Sequence, residues 1–194
     1  MKAKFTLHTH DNTVSYDSYI PFSVRAKLYK TMGFDALGVV GHDNISQYDS
    51  DDLIIINGVE HTVSEDPEIH IVELPEIGFR YLAHPKRVDG NNTRETAMNI
   101  IRERNLDGVE KYNDGSKQYD GSLDTIELAS DDAHNLIQTC TSYMKADVDA
   151  INRGQIVSAI KTGNFEMKNK RSRILGDVSK GLTSSLGSLT TEGR

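Results

Sequence analysis

The chain has 194 residues, 37% of them apolar and 26% charged, a globular mix that excludes a disordered or fibrous chain and fits one sizeable domain better than two. Twenty-nine acidic residues against 22 basic ones give a formal charge of −7, so the overall field repels nucleic acid and anionic lipid, and any nucleic-acid contact has to be local. A single cysteine, Cys140, excludes an intrachain disulfide, residues 1–10 hold no apolar stretch of signal-peptide length, and the longest apolar run, 53–56, is far too short to span a bilayer; a soluble, cytoplasmic protein with no membrane partner is expected.

Seven runs rich in β-branched and aromatic residues read as strands: 3–8, 36–41, 53–60, 69–74, 81–84, 109–112 and 125–129. Between the first two, Pro21 suits a first helical position, Val24 and Leu28 supply apolar positions, and Gly33 is a natural stop. A second helix covers 93–104, where Asn92 is a candidate cap, Glu95 follows three residues on, and Ala97, Ile100 and Ile101 share one face. Strands alternating with helices predict an α/β architecture, and a closed or nearly closed barrel places its working residues at the C-terminal ends of the strands. The connection 62–68 is too short for a helical crossover, so 53–60 and 69–74 are expected to pair as an antiparallel hairpin, which argues against a pure eight-fold barrel. Past residue 168 the composition changes: twelve of the 24 residues 171–194 are Gly, Ser or Thr. Residues 169–194 therefore read as a polar tail on a 1–168 domain, with Leu175, Val178, Leu182 and Leu189 near helical spacing as the alternative of a short docking helix.

The seven histidines are not scattered. His8 and His10 close the first run, His42 the second, Glu60 the third and His84 the fifth, while Asp132 and His134 follow the seventh; His70 alone opens its strand. In His8-Thr9-His10 the two-residue strand period puts both imidazoles on one face, within reach of one ion. A lone His-x-His is more often a surface or capping pair, but six of seven histidines at strand ends turn the reading toward a metal site. Carboxylates among imidazoles suit Zn, Mn or Fe and disfavour a pure Ca or Mg site.

The order of these motifs, over about residues 5–165, resembles the PHP superfamily, named for bacterial polymerases and histidinol phosphatases. His8 and His10 match its opening His-x-His, and Asp17 in Tyr16-Asp17 matches the following acid, preferred over Asp11 by counting back from Gly33-Phe34-Asp35-Ala36, although the loop 11–16 is longer than usual. His42 matches the ligand of its Thr-Asp-His, with Gly41 where the acid would stand, and Glu60, His70, His84 and the pair Asp132 and His134 fill the remaining positions. The resemblance implies a distorted seven-stranded β/α barrel with two to three divalent transition metal ions (Mn, Fe or Zn) at its mouth. It assigns a first ion to His8, His10, Glu60 and Asp132, a second to Glu60, His70 and His84, and a third to Asp17, His42 and His134. It also implies a phosphate-ester substrate attacked in line by a metal-bridging hydroxide, with Glu60 and Asp132 catalytic. Arg87, directly after His84-Pro85-Lys86, is the candidate for holding the substrate phosphate, ahead of Lys86.

A phosphomonoester of a small metabolite or nucleotide is the first substrate class, because the chain is compact and acidic. The alternative is a nucleic-acid exonuclease, supported by the basic run 168–173, and a third reading is an inactive metal-binding interaction module, which the change to Gly41 keeps open. His61 reads as a loop histidine, Asp43, Asp131 and Asn113 as supporting or capping residues, Cys140 as packing, and Lys111 is left unassigned.

Overall fold

Buried side chains on both faces are what make the parallel strands read as unbroken apolar runs. In the strand Ala36–His42, Ala36 and Val40 join an interior cluster with Phe5, Ile56, Val72 and Leu128, while Leu37 and Val39 face outward onto Tyr29 and Phe34. This is the wall of a barrel with a packed interior and an outer face covered in part by helices. A computed structural model describes residues 1–170. The tail expected from residue 169 has its first residue in the last strand, and 171–194, with the alternative docking helix, lie outside the described residues.

In chain order the elements are β1 (Lys2–Thr6), α1 (Phe22–Thr31), β2 (Ala36–His42), β3 (Ile54–Glu65), β4 (Glu68–Leu74), β5 (Phe79–Leu82), α2 (Thr93–Arg104), β6 (Gly108–Asn113), β7 (Ser116–Lys117), β8 (Ile126–Ser130), β9 (Ser142–Asp147), α3 (Arg153–Thr162) and β10 (Glu166–Asn169). Among the described residues the sheet thus has ten strands, which corrects the expectation of seven. All seven expected strands are present; β7 has two residues, β10 is a four-residue edge strand, and β9 mixes lysine and serine with its apolar positions, so none of the three carries a long apolar run.

Strand order is β10-β9-β1-β2-β3-β4-β5-β6-β7, with β8 also pairing β6. β1–β2, β2–β3, β5–β6 and β6–β8 are parallel, whereas β3–β4–β5 run antiparallel, as the short 62–68 connection requires. The wall is drawn together at the mouth, where Thr9 bridges Ala133, the His10 N–H donates to Ala133 O (3.1 Å), and the Asp132 N–H donates to His8 O (3.0 Å).

Three helix details depart from sequence expectation. Helix α1 buries Arg25 and Tyr29 rather than Val24 and Leu28, and Pro21 precedes its first turn with extended ψ. Asn92 does not cap α2 through its side chain; its amide donates to Glu95 Oε2 at 2.8 Å. Helix α3, which the strand-centred reading passes over, buries Ile156, Ala159 and Ile160 in the interior cluster, capped by Asn152 Oδ1 accepting from the Gln155 N–H. No helix among the described residues is long and apolar enough to cross a membrane.

Candidate metal centre

Parallel strands deliver their C-terminal residues to one rim, and this explains His8, His10, His42, Glu60, Asp132 and His134. His70 sits at the opposite end of its own strand, yet β4 is antiparallel to β3, so the register pair Thr62 with His70 brings that end to the same rim. The register pair His42 with Glu60 joins β2 to β3 there.

Glu60 is the centre of the arrangement and is 1% exposed. Its Oε1 lies 2.9 Å from His84 Nε2, 3.0 Å from His70 Nδ1 and 3.5 Å from His8 Nε2, and its Oε2 lies 3.1 Å from His42 Nδ1 and 3.5 Å from His10 Nε2. Asp132 Oδ1 is 3.2 Å from His10 Nε2, and Asp17 spans His42 Nε2 (3.2 Å) and His134 Nε2 (3.1 Å) through its two oxygens. Asp11 faces elsewhere, accepting from Tyr48 OH (2.7 Å) and the Thr13 N–H (2.8 Å). All nine residues expected at the site are therefore brought to one mouth. Donor atoms fall into three close groups, His8-His10-Asp132, Glu60-His70-His84 and His10-His42-His134, each with its atoms within 4.8 Å of one another.

The electrostatics follow from burial opposed by mutual pairing. Desolvation works against ionised Glu60, but His8 and hydrogen bonds from His42 and His70 outweigh it and hold the carboxyl well below its usual range. Asp132 is lowered in the same way, against its burial, by His8 and by the closely placed His10. Burial pushes His10 down to about 4, whereas His8 is driven well above its ordinary value because Asp132, Glu60 and Glu110 overcome its desolvation. Neutral His10 stacks on His42 and His134 with ring centroids 4.5 and 4.2 Å apart.

The donor set fits divalent ions on a direct structural observation. Asp17 Oδ1, His42 Nε2, Asp132 Oδ1 and His134 Nε2 are buried, and although each lies 3.1 to 3.2 Å from a carboxylate or imidazole of the cluster none is aligned to make a hydrogen bond, a costly state for polar atoms unless a ligand completes them. His8 Nε2 and His10 Nε2 also face each other at 2.9 Å, two ring nitrogens aimed at one point.

Supporting residues are less visible in sequence. Glu110 of β6 is fully buried; it accepts from His8 Nδ1 (2.9 Å), the His84 N–H (2.8 Å) and Asn113 Nδ2 (2.8 Å), so a carboxylate fixes which His8 nitrogen faces the centre. Its signal in the sequence was faint, an acid inside a strand that also carries Lys111 and Asn113. Ser15 Oγ lies 2.8 Å from His10 Nδ1, and the His134 Nδ1–H donates to Asp132 O at 2.9 Å. Asp131, pushed up to about 7 by burial, lies behind the site, bonded to Tyr29 OH and the Cys140 N–H.

Arg87 reaches the rim, its Nη2 3.5 Å from Asp132 Oδ2, and lines a cavity of about 570 Å³ with His42, Glu60, His70 and His134. Lys86 lines the adjoining groove instead. Lys111 is committed to Glu127 at 2.7 Å, Asp43 sits on the rim, and His61 points away from Glu60 toward Asp43 and Glu73. Cys140 is buried in a hydrophobic cluster.

No protein-family model matches the sequence, and no curated protein does. Solved structures do. One is a two-domain protein of Bacteroides vulgatus containing a predicted PHP-like metal-dependent phosphoesterase (TM-score 0.69, 15% identity, 88% of this chain and 65% of that one). Another is the lesion-specific endonuclease EndoQ of Pyrococcus furiosus (TM-score 0.56, 13% identity, 86% of this chain and 58% of that one). This chain spans less than two thirds of either. At these identities the likeness is one of fold, and the fold is of the PHP type.

Proposed function

We propose that this chain is a metal-dependent phosphoesterase. The observation that carries the reading is the convergence of six histidines and three carboxylates on one mouth, with four of their buried donor atoms making no hydrogen bond. His8, His10, Glu60 and Asp132 would hold one ion, Glu60, His70 and His84 a second, and Asp17, His42 and His134 a third. Divalent ions bound there supply Lewis acidity, polarising a phosphoryl oxygen and making water a nucleophile near neutral pH. The fold and function of the structural neighbours support hydrolysis as the reaction class.

The chain's own residues set the conditions for that reaction. Glu110 accepts from His8 Nδ1, so Nε2 is the nitrogen turned toward the centre. Glu60, held ionised by its histidines, offers both oxygens inward. Arg87 is half exposed beside Asp132, where it meets a non-bridging oxygen of the ester by a charge-assisted hydrogen bond. A cavity of about 570 Å³ suits a small phosphomonoester or one terminal nucleotide.

The deciding experiment presents Mn-reconstituted protein with phosphomonoesters, phosphodiesters and end-labelled single-stranded DNA. Release of inorganic phosphate alone supports the monoesterase reading, and release of mononucleotides the exonuclease. Absence of turnover on every ester, with metal bound, overturns the proposal in favour of an interaction module. Glu60→Gln keeps the volume and removes the charge, so it should lower both metal occupancy and turnover with the fold intact; full activity in that variant contradicts the assignment.

A further inference from the structure

Tyr16 and Tyr19 are the most exposed large apolar side chains among the described residues, at 91% and 81%. Both line the cavity over the metal-ligand cluster, and neither belongs to a hydrophobic cluster. The segment that carries them is tied down: the Tyr19 N–H donates to His134 O (3.1 Å), and Ser18 Oγ to His10 O (2.9 Å) and His134 O (3.2 Å). Asp17, between them, faces His42 and His134, and the Tyr16 ring centroid is 5.5 Å from that of His42. Two flat aromatic faces are thus held in water beside the place where a phosphate would sit. Apart from the His42 ring beside Tyr16, they join no hydrophobic cluster among the described residues, and burying them is a gain left to a ligand.

The rest of the rim indicates how a ligand lies. Asp43, Glu65 and Glu68 make the β3–β4 side acidic, which repels additional phosphates, and Arg87 is the one Lys or Arg among the cavity's described lining residues. Phosphate bound between the ligand cluster and Arg87 leaves the tyrosine side for an uncharged group with a planar face. Every nucleobase offers such a face, and stacking on tyrosine is tolerant of base identity.

We propose, resting on the phosphoesterase reading, that the substrate is a nucleotide whose base stacks on Tyr16 and Tyr19. Hydrolysis adds water across the P–O ester bond, its oxygen bonding to phosphorus and a proton passing to the nucleoside oxygen that leaves. A free mononucleotide and the end of a strand share this chemistry. A strand would continue past Arg87 along the groove that Lys86 and Gln118 line, toward Lys117.

The test compares adenosine 5′-monophosphate with ribose 5-phosphate on the full, Mn-loaded chain, and measures calorimetric affinity for the slowly hydrolysed thiophosphate analogue of the nucleotide. Because the chain has no tryptophan, quenching of its tyrosine emission reports stacking directly. The double variant Tyr16→Ala/Tyr19→Ala should lose on the order of tenfold in affinity and in kcat/KM for the nucleotide, and most of the quenching, while ribose 5-phosphate is turned over as before. The Phe pair should retain the affinity. Equal losses on both esters, or no loss on the nucleotide, overturn the inference while leaving the phosphoesterase reading in place. Ring-dependent binding of the analogue without hydrolysis of any ester does the reverse. Lys86→Ala separates the two sources, since a loss confined to a short oligonucleotide assigns a strand end and unchanged behaviour on both assigns the free nucleotide.

Discussion

Glu110→Gln tests the logic of the centre without touching a proposed ligand. The carboxylate is fully buried and receives three donors, His8 Nδ1 on Oε1 and both the His84 N–H and Asn113 Nδ2 on Oε2. Glutamine has the same shape but one end is an NH₂. With that end toward His84 and Asn113 it opposes two donors; with it toward His8 it opposes one, so the second orientation wins. Neutral His8, the form that binds an ion, must then accept at Nδ1 and carry its proton on Nε2, the atom 2.9 Å from His10 Nε2 and 3.5 Å from Asp132 Oδ1. An ion can bind only if the proton returns to Nδ1, where it faces the glutamine NH₂ as a buried, unpaired donor; this costs about 1 to 3 kcal/mol, or roughly 5- to 150-fold in metal affinity. Competition against a metallochromic chelator reads that loss, with circular dichroism and a thermal melt to establish that the fold is kept. Wild-type metal affinity in a folded Glu110→Gln protein would refute the reasoning, since His8 would then be oriented by something other than Glu110.

Arg87→Ala should leave metal content unchanged and lower kcat/KM by about 1.5 to 3 kcal/mol, mostly through KM, with Lys recovering only part because a point charge does not reproduce the guanidinium fork; wild-type kinetics would return Arg87 to the status of a rim charge. Metal should stabilise the fold by about 2.7 kcal/mol at a free concentration near 100 Kd, so a chelator should lower Tm, and a melt indifferent to both metal and chelator would contradict a site built from buried, unpartnered donors. Asp131, with a folded pKa of about 7 against an ordinary 3.8, contributes stability that is fully present below pH 3.8 and is lost as pH rises through about 7, because the folded state holds a proton that the unfolded state has released. Asp131→Asn can still accept from Tyr29 and Cys140, so urea titrations of the metal-free protein should show it gaining on the wild type between pH 5 and pH 8 by about 1 to 4 kcal/mol, and parallel curves would show that Asp131 is ionised throughout.

Much of the barrel was legible because a parallel strand buried on both faces must be apolar throughout, as in residues 36–41, and its end must break into polar residues. The irregular position of His70 was also readable once the 62–68 connection was recognised as too short for a crossover. Helix α3 carried its signals too, Asn152 three residues before Gln155 and Gly163 after the last turn, but only Ile156, Ala159 and Ile160 mark its buried face. The face of α1 was misread for a physical reason: Arg25 and Tyr29 are inside because they reach polar partners behind the site, Ser18 Oγ and Asp131, and hydropathy alone places arginine outside. Which nitrogen of each histidine faces inward depends on partners such as Glu110 and Ser15 that lie 102 and five residues away, and no local pattern encodes that choice.

Gly41 is where this chain departs from the PHP motif, and its surroundings give the departure a cause. A Cβ at position 41 would stand 2.3 Å from Asn44 O and 2.8 Å from Val14 Cβ, so no acid fits there. Val14 belongs to the lengthened 11–16 loop, whose backbone closes over the glycine as the His42 N–H donates to Val14 O at 3.2 Å. That same loop sets Ser15 against His10 Nδ1 and leads directly into Asp17, which faces His42 and His134. An acid has no space there because Asn44 O and Val14 fill it, and the loop that carries Val14 also brings side chains that orient the same histidines. Gly41 therefore marks a remodelled wall of the centre, and the long loop that remodels it is also the one that carries Tyr16 to the rim.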